Sequence, residues 1–130
     1  MSCVPMKLNN GFFTEDILNS GLDYAMDFGK NWLLPIQERL KNKYKFLTEE
    51  SLKEYDLLCR EAMNYGHNFI QQTLLKLHDD KATIKEVELK RHFINSVSNK
   101  YLWVNKSNLS KLFSQGCYYA WKDGLDDCIK

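Results

Sequence analysis

The sequence predicts an all-α protein: an antiparallel helical bundle of four main helices, the first kinked or broken near Pro35. Three observations carry this expectation. Apolar residues recur at helical spacing through four long stretches, and no stretch alternates with the period of two that a half-buried strand requires. A capping side chain stands at or near the start of each helical stretch. With 130 residues, 44% hydrophobic and 27% charged, the composition is that of an ordinary globular chain. It reads as a single helical domain over residues 1–130, with 1–12 as an extended N-terminal segment.

Thr14 is placed to cap the first helix, and Glu15 and Asp16 meet the positive end of its dipole. Leu18, Leu22, Ala25, Gly29, Trp32, Ile36 and Leu40 follow at helical spacing. Pro35 lacks an amide hydrogen and biases Leu34 away from helical angles, so a kink or break is expected there. Thr48 caps the second helix, whose stripe is Leu52, Tyr55, Cys59, Ala62, Gly66, Phe69, Thr73 and Leu77. Thr83 and Glu86 have capping-box spacing and open the third helix, with Val87, Ile94, Val97 and Tyr101 on its apolar side. Asn105 or Ser107 opens the fourth, which turns Leu109, Leu112, Phe113, Gly116 and Ala120 inward and ends near Gly124.

One pattern repeats. AMDFGKNWL, Ala25 to Leu33, is echoed by AMNYGHNFI, Ala62 to Ile70, with alanine, methionine, glycine and asparagine at the same places. A glycine inside a helix costs about 1 kcal/mol against alanine, so close backbone approach is the natural compensating gain. In an antiparallel hairpin, Gly29 and Gly66 lie about 24 Å and about 27 Å from the turn at about 1.5 Å per residue. They are expected to pack face to face, and Gly116 is a third crossing position. A cofactor slot beneath the glycines is the competing account; aromatics at helical spacing favour core packing.

Little in the sequence points to chemistry. The net charge of +1 gives no global electrostatic case for nucleic acid or an anionic membrane. No apolar run is long enough to span a bilayer, and the first residues make a poor signal peptide, so a cytoplasmic location is expected. Cys3, Cys59, Cys117 and Cys128 form no C-x-x-C, and no histidine pairs with them at zinc-finger spacing. His67, His78 and His92 fall on polar faces or at helix ends. No metal and no cofactor is therefore predicted. The run from Asp123 to Asp127 lacks the ligand pattern of a calcium loop and reads as an acidic helix end. Nucleophile motifs and phosphate-binding glycine loops are absent, so no catalytic residue is assigned. Glu86 and Lys90 both project toward the apolar side of the third helix and form a candidate buried charge pair.

SNLSKLF, Ser107 to Phe113, resembles the second helix of the helix-turn-helix in AraC-type transcription regulators. The resemblance implies a DNA-binding module built from residues 81–113, where basic residues outnumber acidic ones. It departs at Asn99, where that family places a small alanine, and at Trp103, where the turn usually has glycine.

The reading preferred from sequence is a non-catalytic helical interaction module that self-associates. A small-ligand-binding bundle is the alternative, and DNA binding the second alternative. Tyr118 points nearly opposite the inward face of the fourth helix, Trp121 lies well off its centre, and Trp103 sits in the preceding connection. These three aromatics are the candidate interface for a second copy or another protein, because tyrosine and tryptophan are favoured at binding hot spots. The competing expectation is that Phe12 and Phe13 fold back and cover them.

Overall fold

The helix starts differ in how the free amides of the first turn are dealt with. In a computed structural model, which describes residues 14–27 and 35–130, these starts open five helices: α1 (Thr14–Ala25), α2 (Ile36–Lys43), α3 (Glu49–Asp79), α4 (Glu86–Lys100) and α5 (Lys106–Lys122), followed by a 3-10 turn at Asp126–Cys128. Thr48 Oγ1 accepts from the Ser51 amide at 3.1 Å, and Asn105 Oδ1 accepts from the Asn108 amide at 2.8 Å. Pro35 stands immediately before α2, where its missing N–H costs nothing. At the other end of α5, Gly124 adopts a positive φ of 78° while its amide and that of Leu125 return to Trp121 and Ala120.

Two expected caps turn out differently. Thr14 is already the first residue of α1, and its side chain hydrogen-bonds Tyr55 of α3. The Thr83–Glu86 capping box does not form: Lys85 precedes α4 without a side-chain cap. The C-terminal segment takes the role instead. Ile84 pairs with Ile129 in a single parallel bridge, the Ile84 amide donates to Cys128 O at 2.8 Å, and the Glu86 amide reaches Lys130 O at 3.4 Å. Backbone from the far end of the chain thus supplies acceptors that the threonine was expected to provide.

The long helix α3 is the axis of the packing. Its buried line runs Leu52, Cys59, Ala62, Gly66, Ile70 and Leu74. On α5 the expected inward residues Leu109, Leu112, Phe113, Gly116 and Ala120 are all buried. The two helices interlock through their glycines. A Cβ built on Gly66 would lie 2.6 Å from Leu112 Cδ2, and one built on Gly116 would lie 2.6 Å from Ile70 Cδ1. Each glycine is a notch that receives the other helix's branched side chain, and the two notches are one turn apart on both helices. Gly21 of α1 does the same for the Cys59 sulfur, at 2.7 Å.

The paired residues also give direction. Asn19 and Asp23 of α1 and Met26 just after it bond Asn108, Lys111 and Gln115 of α5 in ascending order, and Gly66 and Ile70 of α3 meet Leu112 and Gly116 likewise. Helices α1, α3 and α5 therefore point the same way. Contacts of α4 run in the opposite order, with Tyr101, Ser96 and Phe93 meeting Glu61, Tyr65 and Phe69 of α3. So do those of α2 with α1, where Arg39 bonds Asp27 and Tyr44 bonds Ser20. The hairpin assumed for Gly29 and Gly66 set the whole first helix opposite α3; the part of it in α1 runs parallel to α3. Gly29 lies outside the described residues, and the notch at Gly66 holds Leu112.

Two apolar clusters result. The larger gathers α1, α3, α4 and α5 around Phe93, Leu112 and Ile70; the smaller joins Ile17 to Ile36, Leu40, Tyr44, Leu47 and Leu52, with Tyr55 packed against both. Of the apolar side expected for the third helix, Val97 and Tyr101 are buried and Ile94 packs against the core, but Val87 is 73% exposed, and Leu89 and Phe93 take the inward positions on α4. Among the described residues, no helix is long and apolar enough to cross a membrane.

The glycine notches make an ordered prediction. Alanine at Gly66 would press on the Cγ of Leu112 as well as its tip, whereas alanine at Gly116 meets only the flexible end of Ile70 that closely. Overpacking costs about 1–3 kcal/mol and helix propensity returns about 1 kcal/mol. Gly66→Ala should therefore be the more destabilising of the two in urea unfolding. In a Leu112→Ala background the sign should reverse, with Gly66→Ala stabilising.

Candidate functional site

Side chains that are polar yet buried tie α1 to α5. Asn19, Asn108 and Gln115 are each at least nine-tenths buried. Asn19 Nδ2 donates to Glu15 O at 2.8 Å and Trp103 O at 2.7 Å; its Oδ1 accepts from the Asn105 amide at 3.0 Å and Asn108 Nδ2 at 2.9 Å. Both donors and both acceptor positions of the amide are used. The same asparagine therefore fastens α1 to the connection before α5 and to the first turn of α5. Gln115, two turns further along, donates from Nε2 to Met26 O at 2.9 Å, where α1 has just ended.

That bond orients the amide, so Gln115 Oε1 faces His67 of α3, with 2.8 Å between it and Nε2. The imidazole must then carry its proton on Nε2 to donate. Tyr119 packs edge-on at 5.0 Å between ring centroids. Burial holds the His67 pKa below its usual value, an effect the Gln115 bond partly offsets. A concavity of about 270 Å³ opens beside it, bordered by Tyr24, Met63, Arg60 and Tyr119 among others. Nearby, the Arg39 guanidinium lies 4.0 Å over the Tyr24 ring and bonds Asp27 through Nη2 at 3.0 Å, while Nη1 is buried without a hydrogen-bond partner. The ring face takes the place of a second anion.

The sequence-predicted site residues separate. Tyr118 and Trp121 are together on the outer side of α5, 46% and 58% exposed, with ring centroids 6.0 Å apart and planes at 35°. Lys122 Nζ lies 5.6 Å over the Tyr118 ring. Trp103 does not join them. It is 2% exposed, set edge-on against Tyr101 in the larger core cluster, because the connection between α4 and α5 turns inward where Asn19 binds its carbonyl. Nor are Glu86 and Lys90 a buried pair. Glu86 is exposed at the start of α4, and half-buried Lys90 lies 5.8 Å over the Phe113 ring. Phe12 and Phe13 lie outside the described residues.

In the segment that resembles a helix-turn-helix, the buried Trp103 indole fills the connection, and Lys111 is ion-paired with Asp23 of α1. Cys59 donates its S–H to Leu18 O at 3.2 Å, and burial pushes its pKa up to about 12; burial likewise raises Cys117 to about 11. Such thiols stay protonated and serve packing. What the sequence reading missed is the buried amide set. Its signal was present, since Asn108 and Gln115 fall among the inward positions Leu109, Leu112 and Gly116. Comparison with protein-family models, with curated proteins and with solved structures finds no match to this chain.

His67 carries a pH prediction. The unfolded chain takes up a proton on this imidazole near pH ~6.5, and the folded chain resists until the pH is lower. Between those points the unfolded state binds more protons, so stability is complete at higher pH and falls on acidification through that window. The urea midpoint should drop between about pH 7.5 and about pH 5.5, and His67→Gln should shrink the drop. An undiminished drop in the variant would remove His67 as its source.

Proposed function

We propose that the protein is a non-catalytic helical interaction module that self-associates through the outer face of α5. The observation that supports this reading is the adjacent, exposed pair Tyr118 and Trp121. The inner face of α5 is committed to α3 and α1, so these rings are turned outward by the same packing that buries Leu112 and Gly116. Large aromatic side chains present much contact area for little lost rotamer freedom, which suits them to the centre of an interface. A second copy is the preferred occupant because the net charge of +1 leaves little repulsion between two identical chains. Lys122 beside Tyr118 places a cation at the rim, where charge stays solvated.

A separate observation favours a small-ligand reading. A concavity of about 790 Å³ is bordered by Met26, Asp27, Lys111, Ser114, Gln115 and Tyr118, within the size range of ligand pockets. A native mass exceeding that of the chain by a small-molecule increment would favour it.

Light scattering across a dilution series tests the self-association reading. The wild type should pass from dimer to monomer on dilution, and Tyr118→Ala/Trp121→Ala should remain monomeric at concentrations where the wild type is dimeric. A wild type that is monomeric at the highest concentration, or a double variant that dimerises equally, would refute it.

A further inference from the structure

The C-terminal segment brings together three side chains that are far apart in sequence. His78, in the last turn of α3, Asp127 and Cys128, in the 3-10 turn, each offer one ligand atom, and these atoms lie within 4.8 Å of one another. The three residues also line one concavity of about 280 Å³, shared with Lys81, Ala82 and Thr83. We propose that His78, Asp127 and Cys128 bind a zinc-class divalent transition-metal ion, leaving a fourth position for water or an exogenous ligand.

The donor set supports that choice of metal. One imidazole, one carboxylate and one thiolate are the three ligand types zinc accepts, and three protein ligands with an open position is a recurrent zinc arrangement. Soft sulfur with borderline nitrogen selects against magnesium and calcium, which require oxygen ligands. Tetrahedral bonds of about 2.0–2.3 Å set ligand atoms about 3.3–3.8 Å apart. The Cys128 Sγ to Asp127 Oδ1 distance is already 3.9 Å. His78 and Asp127 are exposed side chains, so closing the remaining ångström or so moves no core residue. On binding, the thiol proton leaves to solvent and both metal valences are matched by thiolate and carboxylate, with the imidazole neutral.

The backbone holds the ligands in place from both sides. The Ile84 amide donates to Cys128 O and the Ile84 carbonyl accepts from the Lys130 amide, each at 2.8 Å, which pins the turn carrying Asp127 and Cys128. At the end of α3, the Lys81 and Ala82 amides return to His78 O and Leu77 O at 3.1 and 2.8 Å, with Lys81 in the left-handed region at φ 55°. The negative end of the α3 dipole favours a cation here. Asp126 and Asp127 share the turn with Cys128 and make its surroundings negative, which a dication relieves. Lys81 brings an opposing charge to the rim, and its long exposed side chain can keep that charge in water. No spacing rule finds this set in the sequence, because His78 and Cys128 belong to different elements that only tertiary packing brings together.

Cobalt titration of the untagged, metal-free full chain provides the test. One Co²⁺ per chain should bind with thiolate-to-metal charge-transfer absorption, and Zn²⁺ should displace it. Cys128→Ser should abolish that absorption, while His78→Gln, at an exposed position, should weaken Co²⁺ binding about tenfold or more. Circular dichroism identifies any variant that has failed to fold, and the His78 result then decides. Absence of the thiolate band in the wild type, its survival in folded Cys128→Ser, or unchanged affinity in His78→Gln would overturn the proposal.

Discussion

The reciprocal insertion of Leu112 over Gly66 and Ile70 over Gly116 governs the rest of the molecule. A branched side chain seated above a glycine brings two helix backbones closer than two ordinary side chains allow, and close packing leaves no slack for sliding. Both notches repeat after one turn, so α3 and α5 have a single relative translation and rotation that fills both. Every other contact of α5 is made from that position. Its Asn108 and Gln115 edge is presented to α1, its Phe113 to Phe93 of α4, and its Tyr118 and Trp121 edge to solvent.

Apolar packing has little direction of its own, and the buried amides supply it. Asn19 exhausts its hydrogen-bonding capacity on Glu15, Trp103, Asn105 and Asn108, and a slip of one residue would leave several of those groups buried and unpaired. Each such orphan costs about 1–3 kcal/mol, more than the net gain of an average hydrogen bond. Gln115 extends the same logic to the end of α1 and, through His67, to α3. The three parallel helices are thus joined by one chain of polar contacts running beside the glycine interlock. His67 is a structural histidine in this arrangement, and its lowered pKa is the electrostatic consequence of burial within it.

The surfaces proposed to act lie where this packing ends. On α5, committing one face to α3 and the adjoining edge to α1 leaves the aromatic edge outside, so the proposed contact surface follows from the interlock. At the far end of α3, the helix is long enough to carry His78 past the core to the C-terminal turn. There the bridge between Ile84 and Ile129 sets Asp127 and Cys128 beside it. That bridge also replaces the capping box expected at Thr83. Backbone hydrogen bonds from a distant segment displaced the local side-chain solution.

Periodicity and capping residues were enough to read the all-helical class, the cap at Thr48, a cap at Asn105 or Ser107, the inward face of α5, and the outward placement of Tyr118 and Trp121, because each depends on residues within a few turns of one another. The start of the buried line of α4 was misjudged, since Val87 and Leu89 suit either face and the choice rests on where α3 and α5 stand. Trp103 was read as a surface residue of a connection; it is core because Asn19, more than eighty positions earlier, draws that connection inward. The partner of Gly66 could not be deduced either, because a glycine marks that something approaches closely without saying what. Leu112, the Cys128 turn beside His78 and the acceptors for Ile84 and Glu86 are supplied by chain folding back from elsewhere. Local pattern carries no information about which distant segment arrives, and that was decided by packing shape and by the need to pair every buried polar group.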